Sequence, residues 1–397
     1  MLSFEEALGQ LLAGATPVTE TEMVATLSSL GRVLAVDQSS SIDVPPLDNS
    51  AMDGYAVRCA DVPVIGVKLP VSQRIPAGSM GHALAAVSAA RIFTGAPVPP
   101  GADAVVMQEL CSVDGDSVII NQVPKIGANI RRAGEDIRSG AEVLSAGTRM
   151  TPQAMGLAAS VGIAALPVFR RLRVALFSTG SELAMPGDPL KPGGIYNSNR
   201  FQLFGLLQQA GCEVTDLGIV EDTLEATRAA LRRAAEGHDL ILTSGGVSVG
   251  EEDHVKPAVL AEGKLDLWKI AIKPGKPFAW GQVRDAAFIG LPGNPVACFV
   301  TFLMLVRPYL LKRQGCGQSR PRSLPLAAGF DWLKADPRRE FLRARIDEKG
   351  MLVNYPNQSS GVLTSTYWAD GLIDNPPEQT IRVGDIVRFL PFSELLA

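Results

Sequence analysis

Histidine is almost missing from this 397-residue chain, which has three, and none of its five cysteines forms a CxxC pair. That scarcity argues against a structural zinc site and against a disulfide framework. His82, His238 and His254 show no ligand spacing, and Cys298 reads as buried packing. There is no excess of positive charge: 37 basic against 41 acidic residues leave a net charge of −4. No broad field is therefore available for duplex nucleic acid. No uncharged apolar run reaches about 18 residues, and Met1–Gln10 has no basic leader. A cytoplasmic chain with no membrane or nucleic-acid partner is expected. Hydrophobic residues make up 46%, which excludes wholesale disorder, and 39 glycines with 28 prolines in no fixed period mean many turns. The length exceeds one ordinary core.

The texture changes along the chain. Ser3 and Glu6 form a capping box that predicts a helix through Ala13. A second helix is expected over Glu20–Leu30, stopped by Gly31. From about 45 to 140, short apolar runs between turns suggest a β-rich insert, with a hairpin at Asp114-Gly115. Thr151-Pro152 starts another helix. Apolar strands alternate with helices over 172–318, which implies a mostly parallel sheet covered on both faces. Beyond 319, the alternation in Glu340–Ile346 and a hairpin over Ile381–Leu390 point to a small β-barrel. The expected fold is thus a multidomain α/β and β chain. Residues 1–44 plus 141–171 form a discontinuous N-terminal helical region and 45–140 an inserted β domain. A central three-layer α/β domain spans 172–318 and a C-terminal β domain 319–397.

Ligand loops of an α/β sheet lie beyond the carboxyl ends of its strands. Three such loops stand out: Ser178-Thr179-Gly180-Ser181-Glu182, Ser244 to Gly250 followed by Glu251, Glu252 and Asp253, and Leu291-Pro292-Gly293-Asn294-Pro295. Glycines let backbone amides approach an anion, carboxylates can hold a cation, and amides at the start of the helix after Asn294 suit a phosphate. Each loop alone also reads as an ordinary tight turn. The Lys273-Pro274-Gly275-Lys276-Pro277 segment adds two cations on a stiff backbone. Neither GxGxxG nor GxxxxGK[ST] is present, so no standard dinucleotide fold or P-loop is supported.

These loops, with Pro45 to Ala56, Ile92 to Ala96, Arg132 to Asp136 and Asn197-Ser198-Asn199, occur in an order that resembles the molybdopterin molybdenumtransferase (MoeA) family, which includes the E domain of gephyrin. The resemblance implies an elongated homodimer that takes adenylylated molybdopterin and molybdate, inserts molybdenum at the dithiolene and releases AMP, assisted by Mg²⁺. It implies catalytic roles for Asp53, Thr94, Asp136, Glu182, Asp222 and Asp253, with Glu182 and Asp253 at the metal. Pterin-nucleotide contacts would come from Ser178, Gly180, Ser181, Gly245, Gly246, Ser248, Pro292, Gly293, Asn294 and Pro295. Lys273, Lys276, Arg343 and Ser360 would receive molybdate. Transient contact with a molybdopterin adenylyltransferase is also implied. Two other readings stay open on the residues: molybdopterin adenylylation itself, and a dimeric scaffold without catalysis.

Overall fold

The computed structural model describes residues 1–246 and 254–396, apart from the side chains of Leu267 and Trp268. At the centre stand six strands: β1 (Arg173–Thr179), β2 (Glu213–Val220), β3 (Leu240–Ser244), β4 (Gly263–Lys269), β5 (Pro277–Val283) and β6 (Ala286–Leu291). They pair in the order β2-β1-β3-β6-β5-β4, parallel through β6 and antiparallel at β5 and β4.

Strand periodicity explains the three layers, because successive side chains point to opposite faces. Val174, Leu176, Leu240 and Leu242 enter one core, with the helices Ser198–Gln209 and Pro295–Thr301. Ala175, Phe177 and Ile241 enter the other, with the helices Leu224–Ala235 and Val255–Glu262. The first core is spanned by Pro295–Arg313, the one helix among the described residues long and apolar enough to cross a membrane. Its apolar window is 83% buried inside the protein, which is how a core helix reads.

The capping box forms as expected: the Glu6 amide donates to Ser3 Oγ and the Ser3 amide to Glu6 Oε2, opening the helix Phe4–Ala13. That helix buries Phe4, Leu8 and Leu11 in the first core beside Leu207, Tyr309 and Phe341. By packing it goes, together with Ala15 and Val18, with the central and C-terminal parts and not with the cluster around Leu34. The helix expected over Glu20–Leu30 is absent. Thr21–Ala25 is a strand antiparallel to Ala165–Phe169, followed by a 3-10 turn at Thr26–Ser28. The apolar spacing that suggested a helix belongs to Met23, Leu27 and Leu30, which are exposed rather than docked. Gln38–Ser39 pairs with Glu142–Leu144, so the chain on both sides of the insert closes into one small unit around Leu34, Met150 and Ala158.

The insert is a six-stranded sheet, Ala104–Met107, Gly54–Val57, Ala89–Ile92, Val67–Ile75, Ser117–Ile120 and Cys111–Asp114 in spatial order, with an apolar cluster on each face. Its last two strands form the hairpin expected at Asp114-Gly115. In the C-terminal part, Ile272–Lys273, Arg339–Ile346, Gly371–Asn375, Ile386–Pro391 and Leu324–Ala327 pair in that order. Leu352–Asn354 pairs with Arg339–Ile346, and an Ala328–Leu352 bridge joins the ends, closing a small barrel. No hairpin spans Ile381–Leu390: Ile386–Pro391 pairs with Gly371–Asn375 and Leu324–Ala327 instead, while Ile381 bridges to Trp332.

Candidate active site

Because β1, β3 and β6 are adjacent and parallel, Thr179, Ser244 and Leu291 end side by side, and the loops after them meet. Beneath the surface Ser178 Oγ and Ser244 Oγ, both buried, lie 3.1 Å apart and tie two strand ends together. Asn199 Nδ2 donates to the Gly293 carbonyl at 2.7 Å, and the Gly245 amide to Leu291 at 3.2 Å. At Gly245, φ is +88° and a Cβ would fall 2.6 Å from the Thr179 carbonyl oxygen, so only glycine permits this approach.

Over these loops opens a cleft of about 770 Å³. Its walls bring together Gly180, Glu182, Asp222, Gly245, Gly246, Lys273, Lys276, Pro292, Gly293, Asn294 and Ser360 from distant parts of the sequence. Topology sorts the charges. Glu182 and Asp222 follow β1 and β2 at one side of the sheet, whereas Lys273 and Lys276 precede β5, beside β6. Carboxylates and ammonium groups therefore approach one space from opposite sides.

The two lysines differ. Lys273 Nζ lies 3.0 Å from Asp336 Oδ2 and 2.9 Å from Glu340 Oε1. Burial pulls its pKa down, but the Glu340 and Asp336 carboxylates outweigh burial and hold it above its ordinary value. Asp336 is held well below the carboxylate range, first by the Arg338 guanidinium and then, against burial, by Lys273. Lys276 is exposed and makes no ion pair among the described residues. Arg338 and Gln358 also line the cleft. Sequence reasoning missed both, and the only cue to Arg338 is a basic pair ahead of a strand.

Some polar atoms at the cleft are buried without a protein partner among the described residues: Thr179 Oγ1, Asn197 Nδ2 and Asn199 Oδ1. Buried polar groups normally find partners, so their vacancy suits a polar ligand. The helix start behind Asn294 offers less than expected. Pro295 has no amide and the Val296 amide donates to the Ser360 carbonyl at 3.0 Å, so the protein itself uses part of that site.

Other expected residues lie elsewhere. Arg343 is 1% exposed, does not line the cleft, and spends its guanidinium on Ser365 Oγ and the carbonyls of Phe341 and Ser359. It braces the segment bearing Ser360 and has no open face for molybdate. Ser178 is buried below the cleft, and Ser181 and Pro295 are outside its lining. Asp53 accepts from the Thr94 amide at 2.8 Å and hydroxyl at 2.7 Å, bonds that lower its pKa. That pair and the exposed Asp136 belong to the insert and do not line the cleft of their own chain. Ser248 and Asp253 fall outside the described residues. Among the described residues, no group of three or more His, Cys, Asp or Glu is placed to hold a metal. Cys298 is fully buried, and burial pushes its thiol pKa far up.

Residues 2–162 match the family model "MoeA N-terminal region (domain I and II)", 175–312 the "Probable molybdopterin binding domain", and 325–392 the "MoeA C-terminal region (domain IV)". The chain is 40% identical over 404 residues to a molybdopterin molybdenumtransferase of Haemophilus influenzae, covering 100% of both chains. It is 40% identical over 390 residues to molybdopterin molybdenumtransferase 2 of Mycobacterium tuberculosis, covering 94% of each. A crystal structure of the molybdopterin biosynthesis moeA protein from Pyrococcus horikoshii OT3 superposes with a TM-score of 0.86 at 28% identity, over 98% of this chain and 100% of that one.

Proposed function

The chain belongs to the molybdopterin molybdenumtransferase family, and from that premise we propose that its cleft inserts molybdenum from molybdate into adenylylated molybdopterin and releases AMP. The observation that carries this reading is the separation of Glu182 and Asp222 from Lys276 across one cleft at the strand ends. Molybdate is an oxyanion that a purely acidic pocket would repel, and the uncommitted Lys276 ammonium is its natural receiver. Lys273 positions that loop through its two carboxylates, and Ser360 supplies a hydroxyl. Asn197, Asn199 and Thr179 offer unspent polar atoms to the pterin nucleotide, with Gly180, Gly245, Gly246 and the Pro292-Gly293-Asn294 turn allowing close approach. The dithiolene sulfurs belong to the substrate, so no protein thiolate is required.

Glu182 and Asp222, which both line the cleft, would hold a hard cation such as Mg²⁺. When bound, that ion draws charge from the phosphoryl oxygens as the bond to adenylate breaks. Asp53, Thr94 and Asp136 reach such a cleft from a second copy of the chain in a cytoplasmic homodimer, an arrangement consistent with their absence from the cleft of their own chain. Docking of a molybdopterin adenylyltransferase would deliver the substrate.

Incubating the pure protein with adenylylated molybdopterin should release AMP only when molybdate is added. Adenylate formation from molybdopterin and Mg²⁺-ATP would instead assign the competing transferase reaction, and silence in both assays would leave a scaffold.

A further inference from the structure

Both neighbours of the Asp53–Thr94 pair lean on one guanidinium group, that of Arg91. Arg91 stands opposite Tyr55 in the antiparallel pairing of Ala89–Ile92 with Gly54–Val57. Its Nη1 donates to the Gly54 carbonyl at 3.0 Å and its Nη2 to Gln108 Oε1 at 2.6 Å. Its guanidinium carbon lies 5.1 Å from the centre of the Tyr55 ring and 4.7 Å from that of Phe93. Gly54 follows Asp53 in the chain, and Phe93 precedes Thr94. The Gln108 amide in turn donates to the Asp53 carbonyl at 3.0 Å.

The pair needs such support. The two bonds from Thr94 to Asp53 Oδ1 are exposed, and water competes for both groups, so they hold the carboxylate only loosely by themselves. Gly54 is tightly seated: a Cβ there would fall 2.0 Å from the Val106 carbonyl oxygen. Asp53 thus hangs from a residue that cannot shift toward the next strand, and Arg91 fixes that residue from the other side. Sheet stability alone gives no reason for an arginine at this position. Arg74 stands beside it in the parallel pairing with Val67–Ile75, where like charges repel. Phe93 takes both guanidinium groups at 4.7 Å, which offsets part of that cost.

We propose that Arg91 is a positioning residue for molybdenum insertion, holding the Asp53 carboxylate in its working place through Gly54, Gln108 and Phe93. The proposal rests on the reading that Asp53 and Thr94 complete a cleft and act on the reaction there. What the position requires is a planar fork: two donors aimed at two acceptors, with a flat face against two rings. Lysine keeps the charge but is a compact point donor on a flexible stem, so it does not reproduce that geometry.

The test measures molybdate-dependent AMP release by the full chain carrying Arg91→Met, Arg91→Lys, Arg74→Met or Asp53→Asn, with a thermal melt of each. Arg91→Met should lower kcat roughly ten- to a hundredfold, the effect of misplacing a reacting group by about an ångström, and leave the KM for molybdate unchanged. Arg91→Lys should melt like the parent chain yet keep most of that kcat defect. Arg74→Met removes the other guanidinium from Phe93 without touching Gly54 or Gln108, and its kcat should stay at the parent value. Hydrogen exchange across 92–96 should rise in Arg91→Met and not in Arg74→Met. Parent kcat in Arg91→Met beside an inactive Asp53→Asn overturns the proposal and spares the role of Asp53. A fully active Asp53→Asn overturns both. A loss in Arg91→Met that matches its loss of folded protein, or that Arg91→Lys repairs completely, also overturns the proposal, since Arg91 would then serve only as a structural charge. Should Arg91→Met fail to fold, Arg91→Lys decides: reduced kcat at parent KM supports the proposal, and parent kcat overturns it.

Discussion

Lys273 Nζ lies 2.9 Å from the carboxylate of Glu340, a side chain only 1% exposed that also accepts from Trp332 Nε1 and Asn375 Nδ2. The contact joins the barrel to the loop entering β5, since Lys273 pairs with Glu340 in the barrel sheet as well. The charge of Lys273 is thereby largely committed, while Lys276, three residues on, faces the cleft uncommitted. Lys276→Ala should leave thermal stability unchanged and raise the KM for molybdate about tenfold or more, the worth of one charged hydrogen bond. Lys273→Ala should mainly destabilise. Lys273 is about a third exposed, so the loss should be roughly 2–3 kcal/mol, below the 3–5 typical of a fully buried pair. Chemical denaturation together with steady-state kinetics separates the two.

The same cluster fixes a pH window. Asp336 has its folded pKa depressed below its ordinary 3.8, so its contribution is present above that value and is lost as pH falls through the folded pKa. Lys273 is raised above its ordinary 10.5, so its contribution is present below that value and lost as pH rises through the folded pKa. Stability from the cluster should be flat between these limits. Asp336→Asn should flatten the acid limb of a stability profile and, by removing one of the two carboxylates that hold Lys273 up, shrink the alkaline limb as well, as followed by urea midpoints from pH 2 to 11.

Arg343 makes a different case. Burial lowers its pKa to about 10, and its guanidinium reaches Ser365 and the Ser359 carbonyl while its backbone exchanges hydrogen bonds with Gln358. Arg343→Met should fold, lose about 1–3 kcal/mol through the unpaired groups left behind, and raise hydrogen exchange across 355–361. Direct contact with molybdate would be shown instead by a KM effect without any change in exchange.

Much of this was legible in the chain because local and tertiary signals agree. The strands of the central sheet, the Ser3 and Thr151 caps and the Asp114-Gly115 hairpin all follow from rules spanning a few residues. Thr21–Ala25 failed because its partner strand lies about 140 residues away, and pairing with Ala165–Phe169 overrides helical spacing. For Arg343, alternation correctly put it on the face of Phe341, but the depth of that face depends on the helix Phe4–Ala13 packed over it, which spacing does not show. The convergence of Glu182, Lys276 and Ser360 was not readable from spacing, since three separate segments supply them.

Gly275 sits between the two lysines at φ +123°, where a Cβ would come 2.3 Å from Thr301 Oγ1. Thr301 is fully buried in the core helix and donates to the Ala297 carbonyl, so it has little room to move. Gly275→Ala should destabilise by roughly 1–3 kcal/mol through strain at this backbone conformation and lower molybdate use by displacing Lys276. Pairing it with Thr301→Ser should not restore stability, because that change leaves the hydroxyl in place. Thermal melts of the single and double variants decide this.

Leu27 is 88% exposed, and with Met155, Gly156, Ala159 and Ile163 it lines an apolar hollow of about 530 Å³ on the N-terminal unit. An exposed apolar surface of this kind normally marks an interface, and the proposed homodimer supplies a second copy to cover it. Leu27→Glu removes no packing within the chain, so the melting temperature of the isolated subunit should hold. Sedimentation velocity should show a shift from dimer to monomer. If the cleft is completed by Asp53 and Thr94 of the other copy, molybdate-dependent AMP release should fall with the dimer fraction and recover as protein concentration is raised. A Leu27→Glu protein that stays dimeric would place the interface elsewhere, and a monomer with full activity would separate the catalytic cleft from the second subunit.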